Sequence, residues 1–283
     1  MSFLVRLPRD RYESDAFERF ESSAFALGSA RATMWLSQLA YEDKRPKIES
    51  VLSDWGLTLV RSFGAPLLTM LPIASTAGIV ATGKGRLFVS FKGTDPLVIA
   101  NWITNFDFIP DEDMHRGFAA ALDSVWFKIS DVLAGADLPV VLTGHSLGGA
   151  LAVLAARRME KDLRRSPESV YVFGAPRCGT QAFADAYDAT LGMRTYRFVH
   201  GNDIVPTVPP PEIDFHHVGR VISCPADGRF AAADLSDGPS DEPAFAQVLW
   251  DATRDGLFRL LFGQVLPPGI ADHLPDRYCR ALR

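Results

Sequence analysis

The stretch Pro-Val-Val-Leu-Thr-Gly-His-Ser-Leu-Gly-Gly-Ala, residues 139–150, decides the fold of this chain. It opens as a short apolar run without helical spacing, turns at residues 144–148 and continues to residue 159 in strong helix formers. A buried strand, a tight turn and a helix in this order are the context in which a G-x-S-x-G motif presents a nucleophile. The pattern therefore predicts Ser146 at the tip of the turn, with its hydroxyl above a sheet.

Two groups near this turn are candidate donors to an oxyanion. The backbone N–H of Leu147 lies at the start of the predicted helix, where the helix dipole adds partial positive charge. Thr94 follows the predicted strand at 86–91, and a loop after an early central strand is the expected source of a second donor. Thr94 offers both its backbone N–H and its hydroxyl.

An acid and a base are expected after the serine, in the order Ser, Asp, His. Asp203 follows the end of a predicted strand at 194–200, where ligand-side loops of an open α/β sheet gather. Asp214 and Asp272 are less favoured acids. His273 is the last of the six histidines in the chain and lies well after the acid. The other five have structural interpretations, so His273 is the candidate base.

Strands and helices alternate along the 283 residues, of which 47% are hydrophobic. Strand–helix–strand order implies parallel strands joined by right-handed crossovers, and no linker or repeat divides the chain. We expect one α/β domain over residues 1–283, with a mostly parallel sheet flanked by helices.

Composition limits the partners and the compartment. A net charge of −5 leaves no basic footprint for nucleic acid, and no window is apolar enough for a transmembrane segment. The first ten residues lack the features of a signal peptide, and three cysteines without paired spacing suit a reducing compartment. A cytoplasmic location is therefore favoured, and secretion if a leader has been removed.

Two apolar segments have alternative interpretations. Residues 95–108 either pack on the core or form a short lid that exposes apolar side chains to lipid. The apolar residues at 245–262 predict a helix, which is either buried or a second lipid-touching or dimer surface. The candidate side chains of the lid and acyl pocket are Leu97, Val98, Ile99, Trp102 and Ile103.

Neither a metal nor an organic cofactor is expected. His216 and His217 are adjacent in a predicted extended segment, so their side chains point to opposite faces and do not readily share one ion.

Several motifs occur together in one order, and with them the chain resembles the class 3 lipase family, the Rhizomucor-type α/β-hydrolases. The resemblance covers roughly residues 24–278, although Lys92 stands where the family usually has arginine and residues 225–268 have no assignable counterpart. The matching motifs are Phe-Lys-Gly-Thr at 91–94, Asn-Trp at 101–102, His-x-Gly-Phe at 115–118, Gly-His-Ser-Leu-Gly-Gly at 144–149, Phe-Gly-Ala-Pro-Arg-x-Gly at 173–179, Asp-Ile-Val-Pro at 203–206 with Pro-Pro at 209–210, and Asp-His at 272–273 followed by Tyr278.

This resemblance implies an α/β-hydrolase fold and a serine hydrolase that cleaves acyl esters of lipids through Ser146, Asp203 and His273. A triacylglycerol lipase is the expected activity, acting on lipid or another acyl ester, including at an oil–water or membrane interface. The alternatives are a soluble short-chain carboxylesterase, a phospholipase or monoacylglycerol lipase, and a catalytically silent relative that binds a lipid or a partner protein. Acyl length, head group and oligomeric state are left open.

Overall fold

In the computed structural model, a sheet of seven strands forms the centre of the molecule, described for residues 5–21, 25–66, 75–95, 110–237 and 268–283. The strand order is β1-β2-β3-β6-β7-β8-β9. The strands are β1 (Thr58–Pro66), β2 (Ser75–Gly83), β3 (Arg86–Phe91), β6 (Val140–His145), β7 (Ser169–Phe173), β8 (Thr195–His200) and β9 (Arg220–Cys224), and two short strands, β4 (Pro110–Asp111) and β5 (Met114–His115), pair separately.

Strands β1, β2 and β3 are antiparallel, whereas β3, β6, β7, β8 and β9 are parallel. The antiparallel part is a meander at one edge, and the parallel part contains the central strand β6, whose six residues are all buried. This arrangement confirms the predicted α/β fold with a mostly parallel sheet.

Helices cover both faces of this sheet. They are α1 (Leu27–Leu39), α2 (Arg45–Asp54), α3 (Arg116–Ala134), α4 (Leu147–Leu163), α5 (Gln181–Leu191), α6 (Pro268–Asp272) and α7 (Pro275–Ala281). Alternate strand residues separate into two cores: Leu87 and Val89 pack with α3, α4 and α5, whereas Phe88 packs with α1, α2 and α7. The period of two along β3 therefore divides the interior into two layers.

The candidate site residues follow the carboxyl ends of three parallel strands. β3 ends before Thr94, β6 before Ser146 and β8 before Asp203. Loops at this edge of an open α/β sheet converge on one crevice, so the topology brings separate parts of the chain together.

The predicted boundaries of elements differ from the observed ones by a few residues. Apolar residues at helical spacing over 24–41 predict a helix, which is observed from Leu27 to Leu39. The apolar run 77–82 predicts a strand, which extends over Ser75–Gly83 because it pairs with β1 and β3. Of the candidate lid 95–108, only Asp95 is described, and the apolar helix predicted at 245–262 lies wholly outside the described residues.

Candidate active site

Ser146 occupies the turn between β6 and α4 in an unusual backbone conformation. Its φ is 60° and its ψ is −133°, a region that residues with a side chain rarely adopt. Two hydrogen bonds hold the turn: the Ser146 N–H donates to the Phe173 carbonyl at 2.9 Å, and the Gly149 N–H donates to the Ser146 carbonyl at 2.8 Å. The surrounding structure therefore maintains the strain of the predicted nucleophile elbow.

The two glycines of the motif allow close approach at this turn. A Cβ on Gly144 would lie 2.1 Å from the Gly148 carbonyl oxygen, and a Cβ on Gly148 would lie 2.2 Å from the Phe91 carbonyl oxygen. Because real Cβ atoms do not approach so closely, the helix can begin against the ends of β3 and β6 only with glycine at both positions.

His273 pairs with Asp203 inside the protein. Its Nδ1 lies 2.9 Å from Asp203 Oδ1 and 2.8 Å from Oδ2, and both side chains are fully buried. A carboxylate accepts hydrogen bonds, so Nδ1 carries the proton and Nε2 carries the lone pair. Among the described residues Nε2 has no hydrogen-bond partner, which leaves it free to take a proton.

The Asp203 carboxylate accepts further hydrogen bonds besides that of the histidine. The backbone N–H of Val205 donates to Oδ1 at 2.9 Å, and the hydroxyl of Tyr278 donates to Oδ2 at 2.5 Å. Burial, and then the neighbouring Asp203, raise the pKa of Tyr278, so its hydroxyl stays protonated as a donor. These donors hold the carboxylate in place, and the fixed carboxylate in turn orients His273.

Gly174, which follows β7, lies against this pair. Its φ is +55°, and a Cβ there would lie 2.5 Å from Asp203 Oδ2, 2.9 Å from the Tyr278 hydroxyl and 3.0 Å from His273 Nδ1. The pair can therefore form only beside a residue without a side chain.

The loop after β3 lies beside the nucleophile. A Cβ on Gly93 would lie 3.0 Å from the Ser146 Cβ and 2.5 Å from the His145 carbonyl oxygen. Thr94 is the next residue and is half-buried, and Leu147, the first residue of α4, is buried. Both candidate oxyanion donors therefore belong to backbone segments that contact the elbow.

The less favoured acids have other partners. Asp214 Oδ1 lies 3.3 Å from the Gln181 N–H and from His216 Nε2, whereas Asp272 Oδ2 accepts from the Asn202 N–H at 2.9 Å. Neither of these bonds involves the ring of His273.

The remaining histidines have structural contacts, as the sequence suggested. His115 caps α3 by accepting from the N–H of Gly117 at 3.1 Å, and His217 Nε2 lies 2.8 Å from the Pro206 carbonyl oxygen. No cluster of potential metal ligands occurs in the described ranges.

Comparison with known proteins agrees with this geometry. Residues 88–213 match the sequence profile of the family described as Lipase (class 3). Over this region the chain is similar to the class 3 lipase family. A secreted mono- and diacylglycerol lipase 1 of Fusarium solani is 36% identical over 152 residues, covering 49% of this chain and 44% of the relative. The lipase of Rhizomucor miehei is 34% identical over 168 residues, covering 52% and 45%.

The structural comparison extends over more of the chain. The crystal structure of a lipase from Rhizopus microsporus var. chinensis superposes with a TM-score of 0.60 at 26% identity, covering 82% of this chain and 77% of that one. The chain spans less than half the length of the two curated relatives above. None of the helices in the described residues is long and apolar enough to cross a membrane.

The region that matches the family profile contains Thr94, Ser146 and Asp203 but ends before His273. The assignment of the base therefore depends on the chain order and on the contact between His273 and Asp203.

Sequence reasoning missed two residues that contact the site through side chains. Tyr41 follows α1, and its hydroxyl lies 2.8 Å from Nδ1 of His145, which had only a structural interpretation. His145 Nε2 lies 2.7 Å from the backbone oxygen of His273. No local pattern marks Tyr41, because it is 104 residues from its partner.

Proposed function

We propose that this protein is a serine hydrolase of the class 3 lipase type that cleaves carboxylic esters of lipids, triacylglycerols foremost. The observation that carries the proposal is the buried pair of His273 and Asp203, at 2.8 Å, whose free Nε2 accompanies a strained serine on a nucleophile elbow. This combination of strained serine, oriented base and buried acid is the arrangement of a Ser-His-Asp hydrolase.

In the proposed reaction Ser146 Oγ attacks the ester carbonyl carbon while His273 Nε2 takes its proton. Asp203 holds the imidazole in the required tautomer and stabilises the imidazolium that forms. The imidazolium then donates this proton to the departing alcohol, which leaves an acyl-enzyme on Ser146. Water, deprotonated by His273, attacks the acyl-enzyme. Collapse of the second tetrahedral intermediate releases the fatty acid while the imidazolium returns its proton to Ser146 Oγ.

The backbone N–H groups of Thr94 and Leu147 are the proposed oxyanion donors. A Cβ added to Gly93 would lie 3.0 Å from the Ser146 Cβ, and α4 starts at Leu147; this closeness of both segments to the serine supports the assignment. Loss of one such donor typically raises the barrier by about 3 kcal/mol. The Thr94 hydroxyl supplies an additional donor to the same oxygen.

The substrate class is supported by the names of the relatives. The Fusarium solani protein is named a mono- and diacylglycerol lipase, and a Ricinus communis relative, 25% identical with 87% of this chain and 63% of its own length covered, is named a triacylglycerol lipase. Glycerol esters of fatty acids are common to these names, so we propose them as substrates.

We propose further that residues 95–108 act as a lid and that residues 1–283 form one hydrolase domain. The apolar character of Leu97, Val98, Ile99, Trp102 and Ile103 supports a segment that opens on a lipid surface. Packing of α1 and α7 in one core supports a single domain. The lid acts only at an oil–water or membrane interface, where its apolar side chains leave water.

The test is the hydrolysis rate for short- and long-chain glycerol esters, measured through the solubility limit of each. We expect turnover in the wild type, a jump at the solubility limit and no turnover in Ser146→Ala. Smooth saturation that favours short chains would contradict the lid and indicate a soluble carboxylesterase. Absence of turnover in the wild type would contradict hydrolysis and favour a silent lipid- or partner-binding relative.

A matched pair of variants tests the acid. Asp203→Asn leaves His273 with the wrong tautomer and should lower kcat by about 10⁴-fold. Asp214→Asn is the control, because Asp214 lies on the surface beside His216 and should leave kcat unchanged. Equal rates in the two variants would contradict the assignment of Asp203.

A further inference from the structure

A line of buried side chains joins the end of α1 to the backbone of the proposed base. The Tyr41 hydroxyl lies 2.8 Å from His145 Nδ1, and His145 Nε2 lies 2.7 Å from the backbone oxygen of His273. Tyr41, His145 and His273 are each at most 1% exposed. Water therefore does not compete for these bonds.

The direction of both hydrogen bonds follows from their chemistry. A backbone carbonyl only accepts, so His145 Nε2 carries the ring proton. Burial, and then the neighbouring His273, hold the pKa of His145 well below its usual value, so the ring is neutral and Nδ1 accepts. The Tyr41 hydroxyl must then donate to Nδ1, because burial also keeps its own pKa high.

By donating to Nδ1, the hydroxyl of Tyr41 stabilises the tautomer of His145 that the His273 carbonyl requires. If Nδ1 carried the proton instead, the lone pair on Nε2 would face the carbonyl oxygen of His273 and repel it. A hydroxyl that donates to Nδ1 excludes this tautomer. Tyr41 therefore favours the hydrogen bond from His145 Nε2 to the His273 carbonyl, although Tyr41 takes no part in that bond.

The bond from His145 acts on the residue whose ring takes the proton from Ser146. The rings of His145 and His273 lie 4.5 Å apart between centroids, with an angle of 34° between their planes. Asp203 holds the Nδ1 side of the His273 ring, and His145 holds the backbone that carries it. Two anchors on opposite sides of the Cα define where Nε2 lies.

We propose that His145 and Tyr41 are positioning residues for the acyl-transfer step. His145 holds the base through the carbonyl of His273, and Tyr41 selects the tautomer of His145 that can do so. This inference rests on the proposed function, since it assigns the two residues to the placement of the proposed base.

The first test compares His145→Gln with His145→Asn. The amide nitrogen of glutamine reaches the place of Nε2 and keeps a donor for the His273 carbonyl, whereas the shorter asparagine amide reaches only the place of Nδ1. Because a misplacement of about 1 Å can cost roughly 100-fold in rate, we expect kcat to fall about 10- to 100-fold in the asparagine variant, with KM unchanged. The glutamine variant should stay within about fivefold of wild type. Equal kcat in the two variants overturns the role of this bond.

The second test is a double-mutant cycle with Tyr41→Phe. An amide cannot exchange tautomers, so the hydroxyl of Tyr41 has little left to determine once His145 is glutamine. We expect Tyr41→Phe to lower kcat about 10-fold in the wild type and less than about threefold in His145→Gln. An equal loss in both backgrounds overturns the tautomer argument.

A matched control separates positioning from stability. Tyr187→Phe removes another fully buried hydroxyl, which lies 2.9 Å from Thr195 Oγ1 in a different part of the fold. It should lower the unfolding midpoint as much as Tyr41→Phe does and leave kcat unchanged. If it lowers kcat equally, the loss in Tyr41→Phe is only structural and the inference fails.

The rate of Ser146 labelling by a fluorophosphonate distinguishes failure of this inference from failure of the proposed function. A labelled and active wild type with no difference between the His145 variants overturns this inference and leaves the proposed function intact. A wild type that neither labels nor hydrolyses esters overturns the proposed function and, with it, this inference.

Discussion

Gly174→Ala tests whether the contacts around the His273–Asp203 pair set the rate. Gly174 has a φ of +55°, and an added Cβ would lie 2.5 Å from Asp203 Oδ2. Alanine in this left-handed conformation costs roughly 1–2 kcal/mol of stability by itself. The second effect, displacement of the carboxylate, is the one that concerns catalysis.

The size of that displacement follows from the distances. An ordinary carbon–oxygen contact needs roughly 3.4 Å, so the Asp203 carboxylate must move by about 0.9 Å. The added Cβ would also lie 3.0 Å from His273 Nδ1, so the imidazole cannot move to restore its hydrogen bond with the displaced carboxylate. A misplacement of about 1 Å can cost roughly 100-fold in rate, and 100-fold corresponds to about 2.7 kcal/mol in the barrier.

The assay is kcat/KM for a soluble short-chain ester, together with the urea midpoint of unfolding. Gly56→Ala is the matched control, because Gly56 has a φ of +68° and nothing lies within 4 Å of its added Cβ. Both variants should lose similar stability, and only Gly174→Ala should lose about 100-fold in kcat/KM. A folded Gly174→Ala protein with wild-type kcat/KM would refute the claim that this contact controls the acid and base.

Three further predictions follow from buried groups. Tyr278→Phe removes the 2.5 Å donor to Asp203 and should lower kcat/KM about 10-fold; an unchanged value would contradict the role of this hydroxyl. His145 stays neutral in the folded protein while the unfolded chain protonates near pH 6.5, so stability falls as the pH decreases below that value. In urea titrations, the free energy of unfolding of wild type relative to His145→Gln should fall by about 1 kcal/mol from pH 7.5 to 5.5, and a constant difference would argue against a neutral ring. Burial raises the pKa of Cys178 and Cys224 to about 12, so iodoacetamide at pH 8 should modify them only after denaturation, and rapid native labelling would contradict their burial.

Much of the fold could be predicted because the strongest signals are local. The apolar run, the glycine turn and the alanine-rich segment around Ser146 predict a strand and a helix that are observed as β6 and α4. The apolar run from residue 169 to the Gly/Pro loop at 174–177 predicts a strand, which is observed over Ser169–Phe173 and ends where Gly174 turns the chain at positive φ. Local patterns indicate that an element exists, but tertiary pairing decides where it ends.

The candidate site could be predicted only in part. Chain order and loop position predict an acid at Asp203 and a base at His273, and their catalytic roles stay predictions until they are tested. The contribution of Tyr41 could not be predicted, because nothing near it in sequence shows that packing of α1 places its hydroxyl on His145. Gly174 belongs to the motif at 173–179, but the sequence does not show why glycine is needed there. The three side chains that an added Cβ would meet come from distant segments of the chain.

The position of the base in the chain has a consequence for synthesis. Asp203 and His273 are 70 residues apart, and translation proceeds at about 5–20 residues per second, so the acid precedes the base by roughly 4–14 s. All seven described strands of the central sheet are synthesised before His273, because the last of them ends at Cys224. The proposed hydrolase therefore remains inactive on the ribosome while its sheet assembles, and hydrolysis begins only when the segment from residue 268 onward docks.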